Sequence, residues 1–153
     1  MNDIAKESLK LRNVESSDIG DLFKWRNHPV VRENSFNIEP ISLDEHERWF
    51  KEKSKDPNSQ IYIAYFEDDK IGIVRFDEKG DVIKVNVMLN PDFLGKGIGS
   101  EVIRLGTERF INDKNPGKPV IAEIKKDNIA SIKAFQKAAF KESHSTFVYQ
   151  QKP

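Results

Sequence analysis

The sequence predicts a domain of mixed α and β structure, and three of its features support that prediction. Runs rich in β-forming residues occupy positions 60–67, 70–77 and 82–89, separated by short polar breaks. A loop of spaced glycines then leads into a helical pattern of apolar residues, and this order of strand and helix occurs a second time before residue 140. We expect a single domain over residues 1–153, because that length suits one core.

The N-terminal part of the chain predicts one strand followed by two helices. Residues 8–13 alternate around two leucines, which is typical of a strand. The Ser-Ser-Asp sequence at 16–18 offers caps for a short helix. Ser42 and Glu45 have the spacing of a capping box, so a second helix is expected to run to about Lys53.

The rest of the chain predicts an antiparallel meander followed by alternating elements. The three β-rich runs form the meander, which ends at Pro91. Apolar positions within 98–110 recur at helical spacing, whereas residues 119–124 are typical of a buried strand. A further helix is predicted over 128–138, and a final hairpin over 140–150.

Composition argues against several classes of protein. The 25 basic and 25 acidic residues balance, so no net field draws the chain to nucleic acid or to an anionic membrane, and neither partner is expected. We expect a cytoplasmic protein, because no segment approaches the roughly 20 apolar residues of a membrane span. With no cysteine and with three histidines that lack metal-ligand spacing, no metal site is expected.

The loop after the meander has the composition of an anion site. It reads Leu-Gly-Lys-Gly-Ile-Gly-Ser over residues 94–100, between a strand and a helix. Unpaired N–H groups and the helix dipole converge there, and the glycines let the backbone approach phosphate oxygens. The spacing is neither G-x-G-x-x-G nor that of a P-loop, which argues against both nucleotide folds. Alternatively, the glycines only make a tight turn and cap a surface helix.

This segment resembles motif A of the GNAT superfamily of acetyl-coenzyme A-dependent N-acetyltransferases. Val87-Met88-Leu89-Asn90-Pro91 precedes Leu94-Gly95-Lys96-Gly97-Ile98-Gly99, and the motif is Gln/Arg-x-x-Gly-x-Gly/Ala, with Leu94 in the place of Gln or Arg. The resemblance implies that the loop amides bind the coenzyme A pyrophosphate and that the preceding strand pairs with the pantetheine arm. The cofactor-binding residues implied here are Val87, Met88, Leu89, Leu94, Gly95, Lys96, Gly97, Ile98, Gly99 and Ser100.

Residues 127–140 resemble motif B of the same superfamily, N-x-x-S-x-x-x-Y/F-x-K-x-G-F. The resemblance implies that Asn128 hydrogen-bonds the pantetheine or the departing sulfur, although Asn128 is also a good helix N-cap. Three further side chains are implied to lie along the distal half of the coenzyme: Ser131, Phe135 and Lys137. Phe135 stands where many members have a tyrosine acid, and Ala139 stands where glycine is usual.

The resemblance also implies the GNAT fold. That fold has a central, mostly antiparallel, twisted sheet of six to seven strands with about four flanking helices, and the sheet is splayed between its fourth and fifth strands. In family members the fourth strand is irregularly bulged, which implies that an N–H of Met88 or Leu89 stabilises the oxyanion.

Glu123 is the candidate general base. Formation of an amide from a thioester requires the amine to lose a proton. Glu123 lies five residues before Asn128 and matches the base of the ribosomal-protein alanine acetyltransferases in this superfamily. It alternates with Ala122 and Ile124 on a predicted strand, so its side chain can face the cleft. The alternatives are a solvated carboxylate beside Lys125 and proton transfer through water.

The candidate general acid is Tyr149. Tyr62 is a second candidate, and Ser131 or a water molecule is a substitute, because Phe135 lacks a hydroxyl group. We expect direct transfer of the acetyl group without an acyl-enzyme, and the absence of cysteine is consistent with that expectation.

The N-terminal third contains the candidate acceptor site. The patterns W-R-N-x-P-x-V-R from residue 25 and S-L-x-E-H-x-x-W-F from residue 42 resemble the GNAT branch that acetylates the 4-amino group of a nucleotide-linked dideoxy sugar in pseudaminic-acid-type pathways. Tryptophan offers a flat face to a sugar or base, and arginine pairs with a diphosphate. The candidate acceptor-binding residues are Trp25, Arg26, Asn27, Arg32, His46 and Trp49. At helical spacing, the tryptophans also suit core packing.

The leading hypothesis is transfer of acetyl from acetyl-coenzyme A to a primary amine of a small molecule, a nucleotide-linked amino sugar, by a monomer or homodimer. Acetylation of a protein N-terminus or lysine is the alternative reaction. The alternative of another class is a coenzyme A-binding regulatory module without catalysis, which the substitutions at Leu94 and Phe135 favour.

Overall fold

A computed structural model describes residues 8–143 of the chain. Within that range, five strands form one sheet in the order β1-β2-β3-β4-β5. The strands are β1 (Lys10–Asn13), β2 (Ser59–Phe66), β3 (Asp69–Lys79), β4 (Val82–Leu89) and β5 (Val120–Ile121). The α-helices are α1 (Ile19–Asn27), α2 (Pro29–Glu33), α3 (Leu43–Lys55), α4 (Gly99–Lys114) and α5 (Ile129–Lys137).

The mixed α and β class and the three-stranded meander are confirmed, but the expected numbers of elements are not. The described residues form five strands instead of six to seven, and five α-helices instead of about four. The additional helix is α2, which begins directly after α1 because Pro29 suits a first helical position and His28 Nδ1 accepts a hydrogen bond from Val30 N (3.2 Å). Most of the hairpin predicted over 140–150 lies outside the described residues.

The pairing of the fourth and fifth strands is short, as the predicted splay between them requires. β4 pairs antiparallel with β3 from Lys79↔Val82 to Gly72↔Leu89. It pairs in parallel with β5 at two positions only, Ile83↔Val120 and Lys84↔Ile121. The second half of β4 therefore has no described ladder partner on its β5 side, and β5 is shorter than predicted. The ladder between β3 and β4 shows no register shift, so the expected bulge in β4 is absent from that ladder.

Helices cover both faces of the sheet. On one face α4 packs against β2, β3 and β4, and α5 packs against α4. Val102, Ile103 and Phe135 of these helices join the main apolar cluster. At Gly106 in α4, an added Cβ would lie 2.5 Å from Cγ1 of Val74, so only glycine allows α4 to approach β3 this closely. On the opposite face, α1 and α3 contribute a second cluster that contains Leu22, Trp25 and Phe50.

A buried ion cluster joins β1, the start of α1 and β3. The carboxylate of Asp18 is fully buried, and it contacts Arg12 Nη2 and Lys70 Nζ, each at 2.8 Å. Burial alone would raise the pKa of Asp18, but the hydrogen bonds from these two cations hold that pKa well below its usual range. Asp18 therefore remains ionised inside the fold and links three elements of the N-terminal half.

Candidate active site

A cavity of about 930 Å³ lies beside the second half of β4, the part without a β5 partner. One half is formed by the end of β4, the loop that follows it, the start of α4 and one side of α5. The other half is formed by α1, α2 and α3 together with β3. The elements of the C-terminal half and those of the N-terminal third thus border one continuous space.

The glycine loop delivers the start of α4 to the wall of this cavity. Gly95 and Gly97 have φ values of 73° and 72°, a left-handed conformation that only glycine adopts without strain. α4 begins at Gly99 without a capping side chain, whereas α2, α3 and α5 are capped by the side chains of their N-cap residues. The uncapped start of a 16-residue helix therefore presents backbone N–H groups to an anion.

The second half of β4 supplies an extended backbone to the same wall. Val87, Met88 and Leu89 all line the cavity. Because the pairing with β5 ends at Lys84, backbone groups of this segment on that side have no described ladder partner. A linear ligand rich in amides can pair with such a strand edge. The loop and this strand together fit a ligand with a phosphate end and an amide-containing arm.

The predicted residues of α5 divide between the cavity and the core. Asn128, Ser131 and Lys137 line the cavity. Asn128 Oδ1 also accepts a hydrogen bond from Ser131 N (3.2 Å), so its role as an N-cap is confirmed. Phe135 is only 5% exposed and packs edge-on against Phe140, with ring centroids 5.1 Å apart, so it belongs to the core.

The predicted loop residues line the cavity with one exception. Six of the seven lie on its wall, in the loop and the first helical turn: Leu94, Gly95, Gly97, Ile98, Gly99 and Ser100. Lys96 is not among the lining residues, and its Nζ lies 5.5 Å from the centroid of the Phe93 ring.

Three of the six predicted acceptor residues, Arg26, His46 and Trp49, line the other half of the cavity. The His46 ring is 3% exposed, and it stacks on Trp49 with centroids 5.6 Å apart and an interplanar angle of 23°. Burial lowers the pKa of His46, although a hydrogen bond to the Ile19 backbone acts in the opposite direction. His46 is therefore a neutral imidazole at neutral pH.

Two buried nitrogen atoms at this end have no hydrogen-bond partner among the described residues. They are Nε2 of His46 and Nη1 of Arg26. The other terminal nitrogen of Arg26 donates to the Asn37 carbonyl (3.1 Å), and burial lowers the pKa of Arg26. Because buried polar groups are rarely left without a partner, these two atoms are available to a water molecule or a ligand in the cavity.

The other three predicted acceptor residues support the walls of the cavity without lining it. Trp25 is 6% exposed and belongs to the second apolar cluster, as its helical spacing suggested. Asn27 makes two hydrogen bonds to the backbone of Ile41 (2.8 and 2.9 Å). Arg32 donates to the carbonyls of Asn27 (3.0 Å) and Ile38 (3.3 Å), so the two polar residues hold the segment between α2 and α3.

Several lining residues were missed by sequence reasoning. Arg75 of β3 and Asn86 of β4 are paired in register and face the acceptor half. Arg75 Nε donates to Asp77 Oδ2 (2.8 Å), and its guanidinium lies 5.3 Å from the centroid of the Trp49 ring. The signal in the sequence was a polar residue inside each of two β-rich runs. Only the strand register shows that the two residues are neighbours. Glu45, which the sequence predicts as part of a capping box and of the S-L-x-E-H-x-x-W-F pattern but not as an acceptor-binding residue, also lines the cavity.

The candidate acids and bases lie mostly away from the cavity. Glu123 is 58% exposed, forms an ion pair with Lys84 (2.6 Å) and is not among the lining residues. Tyr62 is buried and donates a hydrogen bond to Asp113 Oδ2 (3.1 Å), and burial raises its pKa, so it is a core residue. Tyr149 lies outside the described residues. Among the described candidates, only Ser131 lines the cavity.

Residues 8–143 lack two features, a cluster of metal-binding side chains and a membrane-spanning helix. No three or more His, Cys, Asp or Glu side chains in that range are grouped as metal ligands. None of the helices there has the length and apolar character required to cross a bilayer.

Comparison with known proteins agrees with this geometry. Residues 8–141 match the family model of the acetyltransferase (GNAT) domain. The chain is 25% identical over 136 residues to acetyltransferase PseH of Campylobacter jejuni subsp. jejuni, covering 86% of this chain and 84% of PseH. It is 25% identical over 156 residues to aminoglycoside N(6')-acetyltransferase type 1 of Klebsiella pneumoniae, covering 89% and 75% of the two chains.

A solved structure shows the same fold. Spermidine N-acetyltransferase of Vibrio cholerae, in complex with CoA and spermine, matches with a TM-score of 0.79 and 18% identity, over 90% of this chain and 83% of that chain. The family match spans most of the sequence and includes the glycine loop, the β4 edge and α5. The chain therefore belongs to the GNAT acetyltransferase family, and it is an N-acetyltransferase whose acetyl donor is acetyl-coenzyme A.

Proposed function

We propose that this N-acetyltransferase transfers acetyl to a primary amine on a nucleotide-linked amino sugar. The observation that carries the proposal is the pair of buried, unpartnered atoms in the acceptor half, Nη1 of Arg26 and Nε2 of His46, beside the Trp49 ring. Arg26 can only donate a hydrogen bond. The two atoms therefore place chemical requirements on the acceptor.

His46 complements Arg26, because it can offer a hydrogen-bond acceptor to the same ligand. A hydrogen bond to the Ile19 backbone contributes to the pKa of His46, and Nε2 is the nitrogen without a partner, so we assign Nδ1 as the donor. In the neutral ring, Nε2 is left as a hydrogen-bond acceptor. A hydroxyl group can donate to His46 and accept from Arg26, and sugars carry several such groups. A polyamine offers ammonium groups that only donate, so it leaves Arg26 Nη1 without a partner.

Arg26 is also the residue to which we assign the diphosphate. It lines the cavity, whereas the guanidinium of Arg32 is engaged by backbone carbonyls. The flat Trp49 ring suits the apolar face of a sugar ring. This part of the proposal agrees with the resemblance of the tryptophan and arginine patterns to the sugar-modifying branch.

The donor half suits acetyl-coenzyme A. We assign the pyrophosphate to the loop around Gly97 and the uncapped start of α4, and the pantetheine arm to the free edge of β4, where an N–H of Met88 or Leu89 is the proposed oxyanion donor. Asn128, Ser131 and Lys137 would flank the arm from α5. When bound, the cosubstrate supplies an acetyl group activated as a thioester.

Glu123 remains the proposed proton acceptor. Its ion pair with Lys84 holds the carboxylate at the edge of β4, and both residues lie outside the cavity wall. Transfer from the amine therefore requires a chain of water molecules. Tyr149 is the proposed acid that returns a proton to the departing thiolate.

The test is a thiol-release assay with the purified full chain and acetyl-coenzyme A. The acceptors are a nucleotide-linked 4-amino dideoxy sugar, glucosamine, kanamycin, spermine and a peptide with an N-terminal alanine. We expect the highest kcat/KM with the nucleotide sugar. We also expect Arg26→Gln to raise the KM for the nucleotide sugar and to change the KM for spermine little. Turnover confined to spermine or to the peptide would refute the proposal.

A further inference from the structure

The charges of the cavity wall are unevenly distributed. Among the described lining residues, four side chains are cationic and one is a carboxylate. The cations are Arg26, Arg75, Lys133 and Lys137, and the carboxylate is Glu45. A primary amine carries a positive charge at neutral pH, because alkylammonium groups of the lysine type have pKa values of about 10. The amine of the acceptor must therefore enter a largely cationic space as an ammonium group.

Two of the four cations belong to the donor half. Lys133 and Lys137 lie on α5 one helical turn apart and suit the phosphates of coenzyme A. Arg75 belongs to the acceptor half, but its charge is paired with the carboxylate of Asp77 at 2.8 Å. Arg26 and Glu45 are then the charged lining residues of the acceptor half that lack a described ionic partner. The carboxylate of Glu45 has the negative charge that an ammonium group requires.

Glu45 is held in place by the start of α3. Its backbone N–H donates to Oγ of Ser42 (3.1 Å), the N-cap of the helix. An acidic residue in the first turn of a helix is favoured by the helix dipole. The Glu45 carboxylate has no hydrogen-bond or ion-pair partner in the described part of the chain. It is available to a ligand, although the backbone that carries it is fixed.

The position of Glu45 relative to β4 suits contact with a reacting amine. Glu45 precedes Trp49 by four residues, so the two side chains share a helix face and are separated by about one turn of 5.4 Å. Trp49 and Met88 pack against the same apolar cluster, and Met88 belongs to the free edge of β4. Glu45 therefore faces the space between the acceptor half and the strand assigned to the acetyl donor.

We propose that Glu45 is a specificity-determining residue that binds the ammonium group of the acceptor. The inference rests on the proposed assignment of this half of the cavity to the acceptor. The Glu45 carboxylate accepts charge-assisted hydrogen bonds from the ammonium and selects a cationic amine over a neutral group of the same shape. Binding precedes deprotonation, and the proton then leaves through water toward Glu123.

The experiment measures binding without turnover. The full chain, saturated with coenzyme A, is titrated calorimetrically with the nucleotide-linked 4-amino dideoxy sugar, its 4-hydroxy counterpart and spermine. Glu45→Gln is expected to raise the Kd of the amino sugar about tenfold, the range of a single charge-assisted hydrogen bond. The Kd values of the 4-hydroxy sugar and of coenzyme A are expected to stay unchanged.

Asp44→Asn is the matched control. Asp44 lies in the same first turn of α3, is exposed and does not line the cavity, so this variant removes the same charge from the same helix end. It is expected to bind every ligand as the wild type does. Thermal denaturation of both variants shows that the fold is retained.

The outcomes separate this inference from the proposed function. If the wild type binds spermine but neither sugar, the nucleotide-sugar assignment fails, and the Glu45 inference is then decided by the Kd of spermine in the same variants. An unchanged amine Kd in Glu45→Gln overturns the inference. An equal loss of affinity for the 4-hydroxy sugar, or no binding of any amine to the wild type, overturns it as well.

Discussion

Nζ of Lys84 lies 2.6 Å from Oε1 of Glu123, an ion pair that joins β4 to the segment after β5. Lys84 is paired in register with Ile121, the last residue of β5, so the contact forms where the pairing of the two strands ends. The ion pair therefore fixes the proposed general base beside the end of the β4–β5 pairing.

Replacement of the carboxylate tests the proposed proton transfer. Glu123→Gln is expected to lower kcat about 100-fold, the lower range for a general base, with the Kd of coenzyme A unchanged. Lys84→Gln serves as the control, because it removes the partner and leaves the carboxylate. Stopped-flow or steady-state assays of thiol release measure kcat for both variants. If Glu123→Gln turns over at the wild-type rate, another group or water alone accepts the proton.

The loop glycines offer a test that separates backbone strain from loss of the anion site. Gly97 and Gly80 both have positive φ values, 72° and 61°, and an added Cβ meets nothing within 4 Å at either position. Alanine at either position is expected to cost about 1 kcal/mol of stability. Only Gly97→Ala is expected to raise the Kd of coenzyme A, by about tenfold, in a calorimetric titration. Equal Kd values for the two variants would remove the loop from the proposed site.

The backbone conformation of Ala139 predicts that glycine at this position stabilises the protein. It has a φ of 74°, the conformation for which motif B normally provides glycine. A left-handed alanine is strained by about 1–2 kcal/mol, while glycine costs about 0.5–1 kcal/mol of additional chain entropy. Ala139→Gly is therefore expected to raise the free energy of unfolding by about 0.5–1 kcal/mol in urea titrations. Ala134→Gly, inside α5, is the control and is expected to lower it by about 1 kcal/mol.

The buried Asp18 predicts sensitivity to acid. Its pKa is lower in the folded chain than in the unfolded chain, so the unfolded chain takes up a proton first as the pH falls. The contribution of Asp18 is fully present above its unfolded pKa of about 4, and acidification below that value reduces the free energy of unfolding.

Asp18→Asn is expected to lower the free energy of unfolding by about 3–5 kcal/mol at pH 7, because Arg12 and Lys70 lose their shared buried partner. The variant is also expected to show a weaker dependence of stability on pH between about 4 and 2. Urea titrations at a series of pH values measure both effects. An unchanged slope against pH would show that other carboxylates dominate acid unfolding.

Much of the fold was predictable because it depends on local patterns. The meander strands were placed within two residues of their observed ends, since alternation and polar breaks set those ends. The caps at Ser42 and Asn128 were recognised because a capping side chain bonds an amide three residues along the same helix. The extra helix α2 was missed, because a five-residue helix leaves almost no periodic signal.

The site was predictable where its contribution comes from the backbone. The glycine loop, the edge of β4 and the start of α5 line the cavity as the motifs implied. Side chains in the N-terminal third were harder to assign, since a pattern of tryptophans and arginines does not specify whether each side chain faces the core or the cavity. Trp25 turned toward the core and Arg32 toward backbone carbonyls, whereas Arg26 and Trp49 faced the cavity.

The sequence by itself determined the family, the order of the main strands and helices, and the loop that approaches the donor, because each is encoded in contiguous residues. Only the tertiary structure decided that Glu123 pairs with Lys84, that Arg75 and Asn86 share a wall, and that Glu45 is the described carboxylate on that wall. Those relationships depend on strand register and helix rotation, which are set by packing between residues far apart in the chain.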